Sequence, residues 1–224
     1  TQFDNEVDFV IQSPQLGTGH AVKQAQAQLG DKFGAILVVP SDLPLLSTET
    51  LKQMIATYES RPGSIVMLTV ERENPLGFGR IVRNKEGHVA AIVEEVDCTP
   101  EQRAIRELNV GVYLFETNWL WQNLERIPLS PKGEYYITDL IGLAVEQGRP
   151  VLAKPMTDPV EALGVNSRVH LAQVETVLRQ RINQAWMEAG VTLVDPGTIY
   201  IGLDVTIGPD TIIYPNSYLL GRTV

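Results

Sequence analysis

The order of apolar and polar positions along the chain predicts alternating strands and helices. Val7 to Ile11 reads as a short strand and Ala21 to Leu29 as a helix. "AILVVP", Ala35 to Pro40, is a continuous apolar run of the kind found in buried parallel strands. Ser47 is placed to cap a helix with Glu49 in its first turn, and Leu51, Met54, Ile55 and Tyr58 recur at helical spacing behind it. "SIVMLTV", Ser64 to Val70, predicts a second buried strand. "GRIVRNKEGHVAAIVEE" predicts a hairpin around Asn84-Lys85-Glu86-Gly87. Thr99-Pro100-Glu101-Gln102 has the form of a capping box with Pro at the first helical position. "ELNVGVYLFE" predicts a strand, helices follow near Asn118 to Glu125 and Ile137 to Gln147, and "PVLAKP" is a short strand. This order implies an α/β domain with a mostly parallel sheet and a ligand beyond the carboxyl ends of its strands.

After this domain the texture changes. Ser167 can cap a long helix running to about Ala189, with Gly190 past its end and Val174, Val177, Leu178, Ile182 and Trp186 as its apolar stripe. Ile201, Ile207 and Ile213 then recur every six residues, the first two followed by Gly. A hexapeptide period of this kind predicts a parallel β-helix, whose aliphatic residues point into a prism. One coil cannot bury its own core, so more coils are expected. The reading divides the chain into 1–166, an α/β domain; 167–190, a linking helix; and 191–224, the start of the β-helix.

Composition narrows the function. The 224 residues carry a formal net charge of −9, which argues against nucleic-acid binding through a basic face. The lone Cys98 permits no internal disulfide and fits a reducing cytoplasm. No apolar run reaches membrane-spanning length, and no signal peptide is visible. The chain opens on Thr1 and closes within a repeat, so it is expected to be a fragment.

Several residues could carry chemistry, each with a plainer alternative. Gly17-Thr18-Gly19 before a helix could present N–H groups to a polar ligand, or form an ordinary tight turn. Asp42, following a strand, could ligate Mg²⁺ or cap a turn before Pro44. Gly77 and Gly79 in "NPLGFGRIVR" could admit a flat ligand, or mark a bulge. Glu94 and Asn109 could bind sugar hydroxyls, or be solvated strand ends. Asn166 could be a second oxygen ligand, or simply open the long helix. His20, His88 and His170 share no metal-ligand spacing and read as structural. Cys98, in a polar loop beside Asp97 and Thr99, shows no sign of activation.

Taken in order, "QLGTGHA", "SDLPLLSTETL", "GFGRIVR", "IVEEVDCTPEQRAIRELNVGVY", "GEYYITDLIGLA" and "GVNSR", with hexapeptides behind them, resemble one family over nearly the whole chain. It is the bacterial bifunctional N-acetylglucosamine-1-phosphate uridylyltransferase and glucosamine-1-phosphate N-acetyltransferase. The resemblance implies a Rossmann-like nucleotidyltransferase domain, a linking helix and a left-handed parallel β-helix that makes the protein a cytoplasmic homotrimer. It implies that Gln12, Gly17, Thr18 and Ser41 lie on the nucleotide side. Gly79, Glu94, Asn109 and Thr138 are implied to hold the N-acetylglucosamine portion, and Asp42 and Asn166 to bind Mg²⁺.

The implied reaction joins UTP and N-acetylglucosamine 1-phosphate into UDP-N-acetylglucosamine and pyrophosphate, a supply for peptidoglycan and lipopolysaccharide. The intact protein is expected also to acetylate glucosamine 1-phosphate with acetyl-CoA. Two departures stand out. Pro40-Ser41-Asp42 replaces the family's usual Tyr-Gly-Asp, and the Gly-rich triphosphate loop, the first βαβ unit and the later β-helix coils are absent from this chain. The chain alone is therefore expected to be inactive in uridylyl transfer. The alternatives are a pyrophosphorylase for another sugar or nucleotide, or a non-catalytic assembly or regulatory protein with a degenerate nucleotidyltransferase domain.

Overall fold

The computed structural model describes residues 7–73 and 77–224. These residues form two compact units, one within residues 7–41 and 46–162, the other of residues 42–45 and 163–224.

In the first unit, the helix expected over 21–29 is two short pieces, α1 (Thr18–Gln24) and α2 (Gln26–Leu29), joined at Ala25. Strand β1 (Ala35–Val38) leads to α3 (Thr48–Ser60), and β2 (Ile65–Glu71) follows. The hairpin β3 (Arg80–Arg83) and β4 (Val89–Val93) precedes α4 (Pro100–Arg103) and the long β5 (Glu107–Glu116). Helices α5 (Thr117–Leu124) and α6 (Asp139–Glu146) and strand β6 (Val151–Pro155) complete it. Local chemistry sets the ends of several elements. The Ser47 hydroxyl accepts from Thr50 N–H at the start of α3, and Thr99 and Gln102 form the reciprocal capping box of α4.

The sheet is mixed. Its path is β4-β3-β5-β2-β6, with β1 also paired to β5. Only β2 and β6 run parallel; every other pairing in this sheet is antiparallel. The expected mostly parallel sheet is thus corrected. In particular β1, expected to be a buried parallel strand, lies antiparallel to β5, and only Ile36 in it is buried. An apolar run reports burial, and strand direction is set by a partner some 75 residues away in sequence. A second correction concerns Val7 to Ile11, which forms no strand. Phe9 and Ile11 are 61% and 85% exposed, and no ladder partner exists for the segment among the described residues.

The main core packs Tyr113 and Phe115 of β5 with Trp119, Leu120 and Leu124 of α5 and Leu140, Ile141 and Ala144 of α6. The Tyr113, Phe115 and Trp119 rings succeed one another at 5.6 and 6.2 Å between centroids. Cys98 lies in the polar loop beside exposed Asp97 and Thr99, as expected, but its side chain is buried, the thiol donating weakly to the Glu94 carbonyl at 3.4 Å.

In the second unit, α7 (Arg168–Glu188) is capped by the Ser167 hydroxyl, which accepts from His170 N–H. Its Ile182 and Trp186 pack on a small core of Val191, Leu193, Ile199, Ile201, Val205 and Ile213. The strands here are two residues long: β7 (Thr192–Leu193), β8 (Tyr200–Ile201), β9 (Ile212–Ile213) and β10 (Tyr218–Leu219). They pair β7 with β9 and β8 with β10, both in parallel. Tyr200 and Tyr218 stack at 4.6 Å, and the Arg179 guanidinium lies 4.4 Å over the Tyr200 ring.

Candidate active site

Strand β5 carries the site of the first unit. Its pairing with β2 occupies one edge, so β3 and β1 share the other. On that edge β3 pairs only at Leu108, and β1 only from Tyr113 to Glu116. Between them no ladder pair forms on that edge among the described residues, and the two strands part around Gly111. This residue has φ +87°, a conformation L side chains rarely adopt, and a Cβ there would lie 3.2 Å from the Pro40 Cγ. The bend brings Asn109 back along its own strand. The Asn109 Oδ1 accepts from Gly111 N–H at 3.1 Å and from the Tyr113 hydroxyl at 2.8 Å.

Gly79 is beside it. The Gly79 carbonyl accepts from Asn109 N–H at 2.8 Å, and the space where its side chain would be is 3.6 Å from Glu94 Oε2. The other carboxylate oxygen, Oε1, accepts from the Thr138 hydroxyl at 3.1 Å. Asn109 is thus bonded to Gly79 and Thr138 to Glu94, and the Glu94 carboxylate borders the side-chain-free space at Gly79. Burial pushes the Glu94 carboxyl above the usual carboxylate range; the Thr138 hydrogen bond and Lys132 act against this, and Asp97 and Asp139 add to it. A cavity of about 210 Å³ opens beside Glu94, lined also by Gly77, Glu95, Val96, Lys132 and Tyr136. Asn74, Pro75 and Leu76 of the "NPLGFGRIVR" stretch lie outside the described residues.

The Gly-Thr-Gly turn has a local task that its sequence does not disclose. It docks on the backbone of residues 134–137. Gly19 N–H donates to the Tyr135 carbonyl and Tyr135 N–H to the Leu16 carbonyl, each at 2.8 Å. The Thr18 hydroxyl accepts from Ile137 N–H at 3.1 Å. A Cβ on Gly17 would stand 2.8 Å from the Tyr135 oxygen, and one on Gly19 would stand 2.9 Å from the Ile127 Cδ1. Gln12 braces the turn by donating to the Gly17 carbonyl at 2.9 Å, and His20 sits between Gln12 and Gln24. Since Thr138 follows Ile137 directly, the turn fixes the segment that aims Thr138 at Glu94. Ser41 is exposed just past β1.

In the second unit Asp42 and Asn166 lie on neighbouring backbone. Val165 N–H donates to the Asp42 carbonyl at 2.9 Å, and a Cβ on Gly164 would be 3.5 Å from Asp42 Oδ2. Neither the Asp42 carboxylate nor the Asn166 amide side chain has a hydrogen-bond partner among the described residues. Among those residues no group of three or more His, Cys, Asp or Glu side chains could hold a metal ion. Mg²⁺ needs no such group, because it takes hard oxygen ligands and keeps several waters or phosphate oxygens. One carboxylate and one amide oxygen suit it.

Sequence reasoning missed three features. Tyr113 holds Asn109 across an irregular stretch of β5, where the register against β2 shifts between Met67 and Thr69, and this irregularity had no local signal. Arg80, following Gly79, is only 2% exposed, donates to the Phe78 carbonyl and lies 3.6 Å from Glu95. The docking of the turn on Tyr135 had no local signal.

Comparison with known proteins identifies the family. The nucleotidyl transferase family model matches residues 1–191. The bifunctional protein GlmU of Halalkalibacterium halodurans is 43% identical over 224 residues, all of this chain and 49% of that protein. That of Clostridium beijerinckii is 46% identical over 221 residues, 98% of this chain and 48% of the relative. The chain thus spans about half the length of the curated relatives it matches. Two crystal structures of UDP-glucose pyrophosphorylase share the fold. The complex with UDP-glucose aligns with a TM-score of 0.60 at 18% identity, over 78% of this chain and 66% of that one. The apo form aligns with a TM-score of 0.58 at 17% identity, over 78% and 64%. No helix among the described residues is long and apolar enough to cross a membrane. With its mixed α/β sheet and these relatives, the chain belongs to the nucleotidyl transferase family and is a homologue of the bacterial bifunctional GlmU proteins.

Proposed function

We propose that the protein carrying this chain transfers UMP from UTP to N-acetylglucosamine 1-phosphate, giving UDP-N-acetylglucosamine and pyrophosphate. The observation that carries the reading is the cluster of Gly79, Glu94, Asn109 and Thr138 beside β5, where β3 and β1 part. It offers an acceptor in Glu94, a donor in Asn109 and a side-chain-free wall at Gly79, a set suited to sugar hydroxyls. Gln12, Gly17, Thr18 and Ser41 take the nucleotide side in this reading, as the GlmU likeness suggests.

The acceptor's phosphate oxygen bonds to the α-phosphorus of UTP, the bond to the β-phosphate bridge breaks, and pyrophosphate leaves. The attacking phosphate is already anionic, so the chain supplies no general base and works by holding and orienting both substrates. Asp42 and Asn166 would hold Mg²⁺, which when bound neutralises charge on phosphate oxygens. Glu94 and Asn109 orient the sugar, and Thr138 keeps Glu94 in place.

The reading extends to the whole protein. Residues 1–166 form the transferase domain, 167–190 the linking helix, and 191–224 the first coil of a left-handed parallel β-helix. The parallel pairing of Tyr200 with Tyr218, three hexapeptides on, supports that coil. The further coils carry acetyl transfer from acetyl-CoA to glucosamine 1-phosphate and assemble a cytoplasmic homotrimer. Its product feeds peptidoglycan and lipopolysaccharide synthesis.

Asp42→Ala in the full-length protein tests the assignment. Pyrophosphate release at fixed Mg²⁺ falls at least about 100-fold if Asp42 is a ligand at the reacting phosphates. An unchanged rate would sink the metal assignment.

A further inference from the structure

The donor that Asn109 offers to a ligand depends on which way round its amide is held. A primary amide can turn either its oxygen or its nitrogen toward a site, and the two faces recognise opposite groups. Here the choice is forced. Gly111 N–H is a donor only, so the Asn109 atom it meets at 3.1 Å is the oxygen. The Tyr113 hydroxyl reaches the same oxygen at 2.8 Å. With both donors on Oδ1, Nδ2 makes no hydrogen bond among the described residues and is free to donate outward.

We infer that Tyr113 is a positioning residue for the sugar pocket: Gly111 N–H sets which way round the Asn109 amide lies, and the Tyr113 hydroxyl, donating to the same oxygen, holds it there so that the pocket presents N–H. The inference rests on the proposed role of Asn109 in sugar binding. Three features make Tyr113 suited to the task. It is fully buried, so its ring has one position among Ile36, Phe115 and the helices beneath the sheet. Burial pushes its phenol far above the usual tyrosine range, with the negative charge of Glu94 adding to the effect, so the hydroxyl keeps its proton. The Gly111 bend, packed on Pro40, closes the distance that a straight strand would leave between positions 109 and 113.

The pocket's preference follows. Glu94 accepts and Asn109 donates, so a ligand that suits both must donate and accept. A sugar hydroxyl does this; an ether or a ring carbon does not. Tyr113 touches no substrate in this account and acts only through Asn109.

Steady-state kinetics on the full-length protein test it with Tyr113→Phe, Asn109→Ala, Asn109→Asp and the double variant Tyr113→Phe/Asn109→Ala. Tyr113→Phe keeps the buried ring and removes only the oxygen. It raises the KM for N-acetylglucosamine 1-phosphate roughly 5-fold, with kcat and the KM for UTP within about 2-fold. Asn109→Ala and Asn109→Asp each raise the same KM about 10-fold or more, because Asp still accepts from Tyr113 and Gly111 but cannot donate. The double variant matches Asn109→Ala, because Tyr113 has nothing left to orient.

Each other result overturns a separate step. If Asn109→Ala leaves KM unchanged, the sugar-pocket reading fails. If Asn109→Ala raises KM and Tyr113→Phe does not, that reading stands and the positioning role fails. If the two effects multiply in the double variant, the Tyr113 hydroxyl acts independently of Asn109 and the positioning role fails. If Asn109→Asp keeps the parent KM, Asn109 is not a donor.

Discussion

Gly17→Ala should be among the most damaging single-methyl changes in the first unit, because it breaks a strut that runs to Glu94. Its φ of +92° and ψ of 178° lie in a region essentially confined to glycine, which costs an L residue about 1–3 kcal/mol. The added Cβ would also stand 2.8 and 2.9 Å from the Tyr135 oxygen and nitrogen and 3.0 Å from the Glu134 Cβ. Real Cβ atoms do not approach backbone so closely, so residues 134–137 must move. The bonds at risk are Gly19 N–H to Tyr135, Tyr135 N–H to Leu16 and Ile137 N–H to Thr18. At about 1 kcal/mol each, they put roughly 3 kcal/mol on top of the φ cost. Gly30→Ala is the control, since φ there is +51° and nothing lies within 4 Å of the added carbon. Urea unfolding of the two variants separates the contributions. Gly17→Ala should lose about 3 kcal/mol more than Gly30→Ala, or roughly 6–12 °C in Tm. Its KM for the sugar phosphate should rise as well, through misplaced Thr138. Equal losses in the two variants, with an unchanged KM, would refute the docking argument.

The Glu94 carboxyl gives a pH signature. Its pKa is raised in the folded protein, mainly by burial, so the native state binds a proton more tightly than the unfolded chain. Its contribution to stability is therefore full at low pH and is lost as pH rises from the ordinary carboxylate range through the raised value. Glu94→Gln should flatten unfolding free energy against pH over that window, although Asp139, also raised by burial, keeps part of the slope. Chemical denaturation at a series of pH values reads this, and an unchanged slope would contradict it. Thr138→Val removes the hydroxyl that steadies Glu94 and should raise the sugar-phosphate KM roughly 3- to 10-fold while UTP binding holds. Kinetics with each substrate varied in turn will show whether the loss is confined to the sugar.

What could be read from the sequence was mostly local. The Ser47 and Ser167 caps and the Thr99–Gln102 box are fixed by residues within three positions of one another, and all three form as expected. The buried strand around Met67 and the hairpin at Asn84–Gly87 were visible from apolar runs and turn chemistry. Strand direction was not, because the Ala35–Val38 run meets its antiparallel partner only in the folded chain. The apolar residues from Val7 to Ile11 looked like a strand, yet the pattern does not say whether an edge is available to pair with.

The site divides in the same way. Glu94, Asn109 and Thr138 stood out as polar residues at element ends or in a family motif. The hydrogen bond joining Glu94 to Thr138 spans 44 positions and left no trace in either segment. Gly17 and Gly19 invited a ligand reading because glycine admits close approach. The close approach observed is that of Tyr135, far along the chain. Asn109, Gly111 and Tyr113 alternate in the sequence, but the register shift of β5 opposite Met67 and Thr69 was not legible there.

The central claim is tested most directly by the reaction itself. The full-length protein should release pyrophosphate from UTP with N-acetylglucosamine 1-phosphate in the presence of Mg²⁺. The rate should be at least about 10-fold higher than with glucose 1-phosphate, or with dTTP or CTP in place of UTP. No pyrophosphate from the first pair, or a faster reaction with one of the others, would contradict the account.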